Sequence, residues 1–228
     1  RVDFSPAKIS IHLISRSPEP FRNQLPILAE QIGPGAAGTV SVTAGNVSGT
    51  TGIIAQTNGT GAISVNALGD VTATNGNGIQ AINFNPAANA GTIDVSQAAG
   101  TKITATNGSG IYTDSGLSTG MTTITVAGEI TAGTPGYAGV YGTSTSGGIT
   151  VNVTATGKID PDYGIDLSTV DGPLVVNNAG LVTGTIDGVR LVATGTGSAN
   201  ISNSGTITGG TNAVLISVNN TPSTLFNS

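Results

Sequence analysis

The sequence predicts an all-β protein that folds as a single-stranded, parallel β-helix of about seven coils, with three strands in each coil. Three observations lead to this prediction. Three short motifs recur in a fixed order, Val and Ile alternate with polar residues inside them, and glycine or a polar turn separates one motif from the next. Such repeats form solenoids because each copy can bury its apolar side chains only against its neighbours.

The three motifs each recur seven times. The first is an alternating strand, at residues 39–42, 62–65, 92–95, 123–126, 151–153, 174–176 and 199–201. The second carries one central Val or Ile, at residues 45–47, 69–71, 101–103, 128–130, 157–159, 180–182 and 205–207. The third follows a polar turn, at residues 52–53, 78–79, 110–111, 139–140, 164–165, 188–189 and 213–214. Period-2 alternation places Val and Ile inward and the polar residues outward.

The spacing of the coils and their turn residues fit this architecture. Gly38 to Gly61 is 23 residues and Gly61 to Gly91 is 30, enough for three short strands and three turns. Glycine opens most copies of the second and third motifs, and we expect a positive φ there. Asn178 and Asn203 share one position in adjoining coils, which predicts a stacked Asn ladder, with ordinary Asn turns as the alternative.

Three segments are predicted: residues 38–220 form the β-helix, residues 1–37 an irregular leader or N-terminal cap, and residues 221–228 a C-terminal tail. The leader holds four of the seven cations and five prolines. We expect a helical turn between Phe21 and Ile32 to cover the first coil, because an open coil exposes strand edges. We also expect the natural protein to continue beyond Ser228.

Composition excludes several classes of function. The chain has 7 Lys and Arg against 12 Asp and Glu, so it offers no net positive charge to nucleic acid or to an anionic membrane. It has no cysteine, and no apolar run is long enough for a membrane-spanning helix. We therefore expect no nucleic-acid partner and no membrane insertion by this fragment.

The search for catalytic chemistry yields one weak candidate. His12 is the single histidine, and no glycine loop has the ending that phosphate binding requires, so we expect no cofactor. Asp160, Asp162 and Asp187 occupy corresponding turns of neighbouring coils and form a weak candidate for a cation site or for acid and base catalysis on polysaccharide. The alternative is that these residues only form turns.

A more specific candidate is the first outward residue of the third strand. Alignment on the glycine gives one row in coil order: Ile54, Gln80, Tyr112, Tyr141, Asp166, Arg190 and Leu215. Neighbours in this row should lie about 4.8 Å apart. We predict that Tyr112 stacks on Tyr141 and that Asp166 pairs with Arg190. These four residues form either a ligand-contact strip or ordinary surface packing.

A second outward row is rich in threonine and raises the alternative of ice binding. It contains Thr72, Thr104, Thr131, Thr183 and Thr208, with Thr74 and Thr106 beside it. Asp160 interrupts the row.

The pattern Gly-x-Ile-Thr-Ala-x-Asn-Gly-x-Gly-Ile, in residues 69–79 (with Val71) and nearly repeated in residues 101–111, resembles coils of bacterial autotransporter passenger domains. The resemblance implies a right-handed helix, type V secretion to the bacterial surface and an adhesin-like role. The predicted function is thus an extracellular, non-enzymatic passenger that binds a host glycan or matrix protein. A polysaccharide lyase or hydrolase, and a self-associating filament, are the alternatives.

Overall fold

Three parallel β-sheets run the length of the molecule and form the walls of a solenoid. The computed structural model describes residues 9–13, 26–33, 35–85, 90–133, 136–219 and 221–228, which contain 24 strands. The chain visits the sheets in turn and makes about eight turns, one more than the repeat predicts, with the predicted three strands per coil. The described residues contain no helix long and apolar enough to cross a membrane.

The strands divide among the sheets as follows. Sheet 1 contains β1 (Ile9–Leu13), β3 (Val40–Ala44), β6 (Ile63–Ala67), β9 (Ile93–Gln97), β12 (Thr122–Val126), β15 (Ile149–Val153), β18 (Leu174–Asn178), β21 (Ala199–Asn203) and β24 (Ser223–Asn227). Sheet 2 contains β4 (Val47–Gly49), β7 (Val71–Ala73), β10 (Lys102–Ala105), β13 (Glu129–Ala132), β16 (Lys158–Ile159), β19 (Leu181–Gly184) and β22 (Thr206–Gly209). Sheet 3 contains β2 (Ile27–Gln31), β5 (Ile53–Thr57), β8 (Ile79–Asn83), β11 (Ile111–Asp114), β14 (Ala138–Ser144), β17 (Tyr163–Thr169), β20 (Asp187–Ala193) and β23 (Asn212–Val218).

The interior is a narrow aliphatic column, as the alternation predicts. The inward Ile or Val that each sheet-2 strand contributes stacks between coils, and the first inward residue of the sheet-3 strands does the same. Eleven of these side chains have no exposed surface: Val71, Ile103, Ile130, Ile159, Val182, Ile53, Ile79, Ile111, Val140, Ile165 and Val189. Removing them from water supplies the driving force of folding, at about 25 cal/mol per Å² of apolar surface.

Strand pairing extends beyond residues 38–220 at both ends. β1 pairs with β3, β2 with β5, and β24 with β21. The expected helical turn between Phe21 and Ile32 is wrong for the described part of that segment, because β2 is a strand in which Ile27 and Ala29 point inward and Leu28 is exposed. The rest of the predicted leader, apart from β1, lies largely outside the described residues.

The Asn ladder is confirmed and is longer than predicted. The side-chain amide of Asn178 donates to Asn203 Oδ1 at 2.7 Å, and the amide of Asn203 donates to Asn227 Oδ1 at 2.6 Å. Asn178 and Asn203 are buried, so each pairing satisfies polar atoms that water does not reach. The ladder also bonds to the backbone of Gly180 and Thr206, which fixes the corner between sheets 1 and 2.

Glycine precedes the first inward residue of most sheet-3 strands for a reason other than the positive φ expected. Positive φ occurs among the described residues at Gly33, Gly35, Gly100, Gly116 and Gly136, and at none of the third-motif glycines. A Cβ at Gly110 would instead overlap the side chain of Ile130 and lie 2.7 Å from the carbonyl oxygen of Gly139, both in the next coil. The prediction of positive φ is therefore wrong, and the close approach of successive coils requires glycine.

Replacement of Gly110 by alanine tests this cause. We expect Gly110→Ala to lower the free energy of unfolding by about 1–3 kcal/mol, since the neighbouring coil has to move. Gly133→Ala is the matched control, because its Cβ would meet nothing closer than 3.4 Å. Urea denaturation followed by circular dichroism measures both variants, and equal stability of the two would contradict the steric explanation.

Candidate functional site

All four tyrosines of the sequence line one groove on the side of the solenoid. Tyr112 and Tyr141 come from the first outward position of β11 and β14, Tyr137 comes from the turn that leads into β14, and Tyr163 is the first residue of β17. The groove encloses about 490 Å³. Its remaining wall consists of short polar residues and glycines in the turns before β8, β11 and β14, together with Ala138 from β14 and Asp166 from β17. The turn residues are Gly76, Asn77, Asn107, Gly108, Ser109 and Gly136.

The predicted tyrosine stack is confirmed. Tyr112 and Tyr141 are register partners in parallel strands, and their ring centroids lie 5.4 Å apart with 11° between the ring planes. Parallel pairing places equivalent outward residues one above the other at the strand spacing, which aromatic rings fill by stacking. Burial raises the pKa of Tyr112, and Asp114 and Tyr141 add to this shift, so the phenol stays neutral and can donate a hydrogen bond.

The predicted ion pair is also confirmed. Arg190 Nη1 lies 3.2 Å from Asp166 Oδ2, and the two residues are register partners in β20 and β17. The Asp166 residue is 9% exposed. Burial raises the pKa of its carboxyl group, the Arg190 guanidinium opposes this shift, and the Asp187 carboxylate adds to it. Arg190 therefore holds the carboxylate in position at the groove wall.

Hydrogen bonds between turns hold the polar side of the groove in place. Asn77 Oδ1 accepts a 2.9 Å bond from the backbone N–H of Ser109 in the next coil, and Asn77 Nδ2 donates to Gln80 Oε1 at 3.1 Å. The amide of Asn107 donates to Asn75 Oδ1 and to the Thr74 carbonyl, both at 3.3 Å. The wall is thus preorganised by contacts that do not require a ligand.

Sequence reasoning found half of the tyrosines. Tyr112, Tyr141, Asp166 and Arg190 follow from counting strand positions, whereas Tyr137 and Tyr163 lie where the strand period does not apply. The position directly before the third-motif glycine is a usable signal for these two residues. It holds Tyr163 in one coil, and in the preceding coil it holds Ala138, which is the register partner of Tyr163 and the neighbour of Tyr137.

The structure does not gather Asp160, Asp162 and Asp187 into a cation site. Among the described residues, no group of three His, Cys, Asp or Glu side chains is placed to hold a metal ion. Asp160 accepts a 2.7 Å bond from the hydroxyl of Thr183, and Asp162 accepts a 2.8 Å bond from the backbone N–H of Gly136. Asp187 is buried and accepts from the Asn212 amide at 2.8 Å. These contacts join neighbouring coils, so the three carboxylates have structural partners, and Asp187 begins strand β20 instead of lying in a turn as expected.

The threonine row on sheet 2 is divided in two. Thr72, Thr104 and Thr131 are register partners in three successive strands, and Thr183 pairs with Thr208 further along. Asp160 lies between the two runs. Lys102, Glu129 and Lys158 form ion pairs at 3.3 and 3.5 Å on the same face. Ice binding would need a regular array of hydroxyl groups. Here the array is interrupted at Asp160 and is flanked by charged side chains.

Comparison with known proteins adds no relative: no family model, no curated protein and no solved structure matches this chain. The groove therefore has to be interpreted from its own chemistry.

The positioning of Asp166 by Arg190 can be tested by titration. We expect Arg190→Gln to raise the pKa of Asp166 further, because burial is then no longer opposed by the guanidinium. Carbon-13 NMR of the labelled carboxyl group measures the titration midpoint. The Lys102→Gln variant, which removes a cation from sheet 2, should leave that midpoint in place, and an unchanged midpoint in Arg190→Gln would contradict the assigned role.

Proposed function

We propose that this chain is a non-enzymatic binding protein displayed outside a bacterial cell, an adhesin-like passenger that presents the tyrosine groove to a ligand on another surface. The observation that carries the proposal is the convergence of all four tyrosines in one groove. Only 4% of the residues are aromatic, and the groove gathers the four tyrosines, which are half of the eight aromatic residues in the sequence. Tyrosines are favoured in binding sites because they combine apolar area with a polar group.

The scaffold supports a display role. Each sheet-3 strand that bears a groove residue is hydrogen-bonded to a strand on both sides, so the groove rests on a continuous backbone ladder. A site built on paired strands keeps its geometry better than a site on a free loop. Export to the cell surface follows from the resemblance of residues 69–79 to autotransporter passenger coils and belongs to this proposal.

The alternative of a polysaccharide-cleaving enzyme has less support. Hydrolysis of a glycosidic bond generally uses two carboxyl groups on either side of the bond. The described groove lining supplies one, Asp166, which Arg190 pairs. The other candidate carboxylates, Asp160, Asp162 and Asp187, accept hydrogen bonds from neighbouring coils. Binding without cleavage is therefore the better use of this groove.

A binding assay on immobilised host material tests the proposal. We expect the protein to bind mucin or basement-membrane extract, and the double variant Tyr112→Ala, Tyr141→Ala to lose at least about tenfold in affinity, because it removes the stacked rings. Biolayer interferometry measures both.

The control is the double variant Thr123→Ala, Thr150→Ala, which removes two register partners from the outward surface of sheet 1. It should bind like the wild type. Equal binding by the tyrosine variant, or release of reducing ends from polysaccharide by the wild type, would argue against the proposed function.

A further inference from the structure

We infer that the groove binds a neutral oligosaccharide that lies along the solenoid axis. The inference rests on the proposed function and specifies its ligand class. It follows from the direction of the groove, the chemistry of its lining, its charge and the pairing of the strands beneath it.

The groove runs along the axis because its lining comes from four successive coils. The turn containing Asn77 precedes β8, that containing Ser109 precedes β11, that containing Tyr137 precedes β14, and Tyr163 begins β17. Three steps between coils correspond to about 14 Å at the spacing of paired strands. An elongated ligand that crosses the strands fits this length, whereas a compact ligand would contact fewer coils.

The lining alternates ring surface with groups that bind hydroxyls. A pyranose ring has apolar C–H faces and a rim of hydroxyl groups, so it packs against aromatic rings while its rim forms hydrogen bonds. Tyr137 is 40% exposed and available for such packing. The carboxylate of Asp166 and the phenol hydroxyls are suited to accept from and donate to sugar hydroxyls.

An extended peptide is a poorer fit. Peptides commonly bind β-proteins by adding a strand to a free edge. β11 and β14 are paired on both sides, so neither offers an edge at the groove. Among the described lining residues, Ala138 has the only aliphatic side chain, so the groove offers apolar peptide side chains little besides the tyrosine rings.

The charge of the groove favours a neutral sugar over an acidic one. Asp166 is the only carboxylic acid in the described lining, and that lining contains no Lys or Arg. Arg190, the adjacent cation, is paired with Asp166. A uronic, sialic or sulfated sugar would thus meet a carboxylate without a free cation to balance it.

The protein carries its own probe for this test. It has four tyrosines and no tryptophan, so its tyrosine fluorescence arises wholly from residues of the groove. We would titrate it with maltohexaose, cellohexaose, chitohexaose, mannohexaose and lacto-N-tetraose. Hexagalacturonate, sialyl-lactose and a heparin hexasaccharide serve as anionic counterparts, and a tetrapeptide library represents peptides.

We expect a saturable fluorescence change with at least one neutral oligosaccharide and at least about tenfold weaker binding of the anionic ones. Calorimetry should show about a tenfold loss for Tyr112→Ala, Tyr141→Ala. Tyr112→Phe, Tyr141→Phe keeps both rings and should retain most of the affinity, which guards against a folding defect in the alanine variant.

The outcomes separate this inference from the proposed function. If host material binds in a tyrosine-dependent way while only anionic sugars or peptides bind the groove, or while no neutral oligosaccharide does, the neutral-sugar inference is wrong and the proposed function stands. If neither host material nor any oligosaccharide binds in a tyrosine-dependent way, both fail.

Discussion

Backbone hydrogen bonding between successive coils, held in one parallel register, is the constraint on which every other feature of this protein depends. It places equivalent residues of neighbouring coils one above another at the strand spacing. Inward, this turns single Val and Ile residues into a continuous apolar column. Outward, it stacks Tyr112 on Tyr141 and pairs Asp166 with Arg190. The groove is therefore a product of register and sequence together.

The same constraint governs the polar interior and the glycines. Where an inward position is polar, as at Asn178 and Asn203, stacking lets each amide satisfy the next instead of leaving a buried donor unpaired. Where coils approach closely, as at Gly110, a side chain has no room. Both features contribute to a single stacking geometry, because a slip of one residue would expose the amides and bury the wrong side chains.

Much of the fold could be predicted because apolar and polar residues alternate within each motif. The glycine of the third motif also gives a fixed position from which inward and outward residues can be counted. That count located Tyr112, Tyr141, Asp166 and Arg190. It failed for Tyr137, which lies in a turn, and for Tyr163, which begins β17 two residues before the inward Ile165 and yet lines the groove, because the two-residue period does not hold before the third-motif glycine. The strand at Ile27–Gln31 was missed because its alternation lies among prolines, and the cause of the glycines was missed because one sequence does not show how closely coils approach.

Disulfide trapping tests the register most directly, because these 228 residues include no cysteine. Thr143 and Ser168 are outward register partners in β14 and β17 beside the groove, and Val192 lies one coil further on. The register predicts rapid cross-linking in Thr143→Cys, Ser168→Cys and none in Thr143→Cys, Val192→Cys, where two coil steps separate the Cα atoms by about 9.6 Å, beyond the reach of a disulfide. Cross-linking of the second pair without the first would contradict the stacking on which the groove depends.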